Sequence, residues 1–139
     1  MKLRALLIAM AGTLLLAHMA AAASLEKHLL ELESHIKWEA VDGAWKKMRP
    51  NWVATTGGCA DAKCVAEQLV QLETHVQWKA VDSAWTTRRK GWIRDCKEVT
   101  APREAANLLL EFEENMRGQA LDAQWKALRD EWTARVKGG

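Results

Sequence analysis

The sequence has no tyrosine and a single phenylalanine, and it holds three cysteines, Cys59, Cys64 and Cys96. None of the short motifs that mark catalysis is present. There is no nucleophile elbow, and no glycine-rich loop to cradle a phosphate, since Gly57-Gly58 reads as a linker. The cysteines lack the paired CxxC spacing of a zinc site and the CxxCH of covalent haem attachment, so no cofactor is implied. Runs of β-branched residues are also missing, which argues against strands. These absences point away from an enzyme and toward an all-α chain.

An excess of charge is missing too, once the N-terminus is set aside. Lys2 and Arg4 precede an apolar stretch from Ala5 to Ala17, and Ala20 to Ala23 provide small residues for cleavage. This is the layout of a secretory signal peptide, expected to be removed after Ala22 or Ala23. The apolar stretch is too short to span a bilayer, which takes about 20 residues, so no stable membrane insertion is expected after cleavage. No cysteine follows the cut to accept a lipid. Lys2 and Arg4 are two of the 20 basic residues; without them 18 remain against 18 acidic ones. A chain so balanced has no basic field for a nucleic-acid backbone. The expected address is periplasmic or secreted, where one disulfide is favoured and one thiol is left over.

What the sequence does have is repetition. Residues 29–53, 69–93 and 109–133 align at an offset of 40 without gaps, and the first two copies agree at 12 of 25 positions. Seven positions are identical in all three copies, represented in the first by Leu29, Glu33, Ala40, Asp42, Trp45, Arg49 and Trp52. The third copy departs in two places: Asn115 stands where His35 and His75 stand, and Gly118 where Trp38 and Trp78 stand. After a leader at 1–23, the reading is one helical domain over 24–139, with repeats at about 24–58, 59–99 and 100–139. Ser24, Asp61 and Thr100 (with Pro102 behind it) are candidate N-caps.

Within each copy the apolar stripe changes direction. Leu25, Leu29, Leu32, Ile36 and Ala40 form one stripe; Val41, Trp45, Met48 and Trp52 form another, turned by roughly 140° at 100° per residue. Two architectures fit: a small bundle of three long helices, each showing different faces to two neighbours, or an α-solenoid of three helical hairpins turning near 37–38, 77–78 and 117–118. Only Gly118 is a turn residue at those points, so long helices are the expectation. The cysteines bear on the choice. Long helices permit only Cys59–Cys64, whereas hairpins would place Cys64 beside Cys96.

All eight large indoles fall on the repeat. Trp38, Trp45 and Trp52 are spaced by seven, as are Trp78, Trp85 and Trp92, with Trp125 and Trp132 in the third copy. On continuous helices each set would line one ridge, with Arg49 and Arg89 within reach of the rings. Trp and Arg anchor protein interfaces, so this ridge is the candidate partner-binding surface, although apolar stripes of this kind usually form core. His35 and His75, with His28, are the weak metal candidates. Glu33, Glu73 and Glu113 recur once per copy, as structural residues do, and are expected to pair with an arginine of an adjacent helix. The sequence reads as an exported, non-enzymatic protein that binds another protein: an envelope chaperone, an inhibitor or an immunity protein. The alternatives are a periplasmic metal- or cofactor-binding protein using His28, His35 and His75, and a structural envelope protein that associates with itself.

Overall fold

The structure, a computed structural model, describes residues 25–138. The expected leader and the Ser24 cap lie outside them. The described chain is all-α. Helix α1 spans residues 25–34. It is followed by a 3-10 turn η1 (Trp38–Ala40), α2 (Gly43–Gly57), α3 (Ala62–Thr74), η2 (Trp78–Ala80), α4 (Trp85–Lys97), α5 (Pro102–Glu114), η3 (Gly118–Ala120) and α6 (Ala123–Gly138). No described helix is long and apolar enough to cross a membrane.

The expectation of three long helices is overturned. Each copy breaks between its two apolar stripes and folds as a hairpin: α1 with α2, α3 with α4, α5 with α6. Lys37 (φ −67°, ψ 145°) and Val41 (φ −115°, ψ 158°) adopt extended backbone on either side of η1, and the other two breaks do the same. These residues are adequate helix formers, and what they lose in local helix bonds they recover between hairpins. Gln77 N–H donates to the Ala40 carbonyl at 2.8 Å while Asp42 N–H donates to that of His75 at 2.9 Å. Arg117 and Ala80, with Asp82 and Asn115, repeat the arrangement, as do Lys37 and Ala120 with Asp122 and His35. Helix propensity differs by only a few tenths of a kcal/mol per residue among such side chains, too little to hold a helix straight against burial of a second stripe.

The hairpins are not an open solenoid either. The third returns to the first. Trp52 Nε1 donates to the Gln68 carbonyl and Trp92 Nε1 to that of Leu108, each at 2.9 Å, 16 residues ahead. Trp132 has no residue 16 ahead, and its Nε1 donates at 3.0 Å to the carbonyl of His28, at the chain's other end. Three junctions of one kind therefore close a ring about a pseudo-threefold axis. The first helices of the hairpins supply its centre, with Leu29, Leu69 and Leu109 fully buried.

Asp42 is the N-cap of α2, and Asp82 and Asp122 make the same contact just before α4 and α6: each accepts the N–H of the tryptophan three residues on, at 3.0–3.1 Å, and so satisfies an otherwise orphaned donor. Asp61 caps α3 as expected, accepting Cys64 N–H at 2.8 Å. Thr100 does not cap α5. Ala101 occupies the N-cap position, and Glu104 reaches back to accept the N–H groups of both Thr100 and Ala101. Cys59 and Cys64 form a disulfide across the first linker with Cα atoms 5.5 Å apart. A hairpin fold thus coexists with the short-loop pairing, and Cys64–Cys96 is not formed. Cys96, near the end of α4, is a free thiol; it is buried in the core, as are Thr56 of α2 and Val136 of α6 at the equivalent positions of the other copies.

Candidate functional site

The recurring polar residues hold each hairpin together. Glu33, on α1, is buried; its carboxylate accepts the Trp45 indole N–H at 3.1 Å and two donors of Arg49 at 2.8–2.9 Å. Glu73 receives Trp85 at 2.9 Å and Arg89 at 2.7 Å, and Glu113 receives Trp125 and Arg129 at the same distances. The bond to Glu33 pushes the Arg49 guanidinium further up from its ordinary value, and Glu113 does so for Arg129. A buried carboxylate needs such partners, because desolvation alone would cost several kcal/mol. The invariant Glu, Trp and Arg are therefore a structural clasp, which accounts for the expected salt bridge to a neighbouring helix.

The six indoles of the clasp and junction are core. Trp45, Trp52, Trp85, Trp92, Trp125 and Trp132 are all buried, paired edge-to-face within each hairpin at ring separations of 5.1–5.2 Å. The single binding ridge expected from the seven-residue spacing does not exist, because the break intervenes between Trp38 and Trp45 and turns Trp38 onto a different surface. Trp45, Trp52, Trp85 and Trp92 are unavailable to a partner.

Trp38 and Trp78 are the exception. They are 52% and 60% exposed, the large hydrophobic residues left in solvent among the described residues. Both sit on 3-10 turns at the same end of the ring. Lys46 Nζ and the Arg49 guanidinium lie over the Trp38 ring at 5.6 and 5.9 Å, and the Arg89 guanidinium over Trp78 at 5.9 Å. Cation–π contact holds the rings in place without burying them. Of the eight residues expected at a binding surface, Trp38, Arg49, Trp78 and Arg89 are brought to this end.

Between the three breaks, on the axis, is an open depression of about 300 Å³ floored by Ala40, Ala80 and Ala120. Its walls differ from copy to copy: Lys37 and Glu39, then Lys79, then Gln119. The invariant alanines let the breaks approach one another, and the variable positions face solvent. A second recess, of about 190 Å³, lies on the flank of hairpin 1, lined by Glu33, Ile36, Trp38, Val41, Trp45 and Arg49. The sequence signal for this end was available in the Asp-x-x-Trp pattern of an N-cap at 42–45, which separates Trp38 from the helix that carries Trp45.

The histidines are placed apart. His35 Nδ1 meets the Asp122 carboxylate at 2.9 Å and stacks near Trp125, and His75 Nδ1 meets Asp42 at 2.9 Å beside Trp45. Each lies in a different junction. His28 stands away from both, its pKa lowered by burial and then by the charge of Arg135. No three His, Cys, Asp or Glu side chains among the described residues gather as a metal site. The third junction replaces this histidine in two ways. Phe112 stands where Leu32 and Leu72 stand, and packs on Trp85 and Trp92 at 6.1 and 5.7 Å. Arg88 bridges to Asn115 and Glu111 at 3.2 and 2.6 Å.

Burial pushes the Cys96 thiol up to about 12, from an ordinary 9.0. In native protein at pH 8 its reaction with a disulfide reagent is expected to be slower than in denatured protein by on the order of a hundredfold or more. Comparable native and denatured rates would contradict its burial. Between pH 9 and 12 the unfolded chain releases this proton and the folded chain does not, so Cys96 makes stability fall as pH rises through that window.

No curated protein and no solved structure matches the chain. Residues 64–121, from the first turn of α3 through η3, match a family described as Domain of unknown function (DUF8799).

Proposed function

We propose that the protein is an exported, non-enzymatic binding protein that contacts another protein through the end of the ring bearing the three breaks. The observation that carries this reading is the exposure of Trp38 and Trp78 on one end, in a fold that buries its other six indoles. Exposing an indole forgoes roughly 2 kcal/mol or more of burial, so two on one face are out of keeping with a surface that only meets water. Their cation partners fix the rings in advance, which lowers the entropy lost on binding. Export is supported by the layout of the leader and by a disulfide of the kind an oxidising compartment sustains. A chaperone, inhibitor or immunity role would each use such a face.

The test is capture from envelope extract by the mature protein, compared with a Trp38→Ser/Trp78→Ser double variant. Circular dichroism of the variant should be unchanged, because neither ring contributes to the core. A partner retained by the parent and lost by the variant is the expected result. Equal retention by both proteins would sink the reading.

A further inference from the structure

The flank of hairpin 3 carries a recess of about 190 Å³ lined by Glu113, Met116, Leu121, Trp125, Lys126 and Arg129. Each of these stands 80 residues after a residue that lines the hairpin 1 recess or covers the Trp38 ring. The one missing part is the ring itself, since Gly118 replaces Trp38. We propose that this recess is a binding site for an aromatic side chain of indole size presented by another polypeptide.

Four observations support it. First, hairpin 1 shows an indole seated at the edge of the equivalent recess, with a lysine and an arginine over the ring face. Second, the cations remain where the ring is gone. Lys126 and Arg129 occupy the positions of Lys46 and Arg49, and Arg129 is 43% exposed where its ring-covered counterparts Arg49 and Arg89 are 35% and 29% exposed. Third, glycine is not required by the backbone. Gly118 has no positive φ, and a Cβ built on it would meet nothing within 4 Å. Space for a side chain is therefore present and unfilled by the chain. Fourth, Glu113 is already engaged by Trp125 and Arg129, so an incoming ring would displace no internal hydrogen bond of the clasp. The site lies on the same end as Trp38 and Trp78 but needs neither of them.

The experiment uses N-acetyl-tryptophanamide as the probe, with N-acetyl-leucinamide as the control, followed by amide and indole NMR shifts. The expected result is a saturable perturbation at Gly118, Trp125 and Lys126, with a Kd on the order of millimolar for a fragment of this size. The leucine analogue should bind at least about tenfold more weakly, having no ring for the cations. Gly118→Trp places the chain's own indole against Lys126 and Arg129, as Trp38 lies against Lys46 and Arg49, and should abolish the perturbation by occupying the cation face. Trp38→Gly should create a second site, with new shifts at residues 38–49. Should Gly118→Trp fail to fold, the second site in Trp38→Gly decides the matter. The proposal is overturned by the absence of saturable shifts, by equal response to both probes, by shifts that survive Gly118→Trp, or by a Trp38→Gly protein without a second site.

Discussion

A chain ended after Glu98, and so lacking hairpin 3, is expected to be unfolded, with no cooperative transition in urea or on heating. In an open stack, removing a terminal repeat deletes one interface and leaves its neighbours largely intact. In the ring it deletes two of three. The pairing of Asp82 with Asn115 and the Trp92 bond to Leu108 go from one side. The His35–Asp122 contact and the Trp132 bond to His28 go from the other. Leu109 and Phe112 leave the centre, exposing Leu29 and Leu69 of the remaining first helices. A chain this short has little core to spare, and domains of fewer than about 70–80 residues are marginal even when intact. Far-UV circular dichroism and a urea titration would check it. A truncated chain that melts cooperatively with more than half of the parent's stability would show that the junctions act independently.

Trp85→Ala is expected to lower stability by about 4 kcal/mol, and Trp78→Ala by no more than about 1 kcal/mol, though the two indoles are only one heptad apart. Trp85 has no exposed surface, packs edge-to-face on Trp92 at 5.2 Å, and donates to the buried Glu73 at 2.9 Å. Its loss leaves a cavity and takes one of the few donors to Glu73, whose Oε1 already lacks a protein partner. Trp78 is 60% exposed and loses little beyond its contact with Arg89. Domains of this kind have total stabilities of about 5–15 kcal/mol, so the first change removes a large share and the second is near the limit of detection. Urea midpoints at constant slope would measure both. Similar costs at the two positions would mean that the division between core and surface indoles is wrong.

Some of this was legible before any coordinates. The 40-residue offset and the partnership of each recurring glutamate with an arginine follow from spacing, whereas Cys59–Cys64 was expected only of long helices and forms in a hairpin fold for which Cys64–Cys96 was the expectation. The rotated apolar stripes also stated that each copy faces two directions. What spacing could not supply was how the turn between stripes is made. Ile36, Lys37 and Glu39 carry no turn chemistry. The breaks exist because Lys37, Asp42 and their counterparts bond to backbone of the neighbouring hairpins, far away in the chain, and a local pattern is blind to such partners. The same blindness merged Trp38 with Trp45 and Trp52 into one ridge. Once the break is known, the exposed pair separates from the buried six without further argument. The replacement of His by Asn115 was visible as a difference, but the accompanying Phe112 and Arg88 acquire meaning only when the junction is seen to place them together.

Because the junctions close, a hairpin carries both halves of every contact it makes. Three unlinked copies of one hairpin would satisfy each other around the axis as a cyclic homotrimer. Joining them in a single chain replaces dependence on concentration with a high effective concentration set by the two linkers. It also releases the three copies from identity. A homotrimer must place the same side chain three times around its axis, whereas this chain places Glu39, Lys79 and Gln119 there, and Trp38, Trp78 and Gly118 on the flanks. Covalent linkage lets a symmetric scaffold present an asymmetric face.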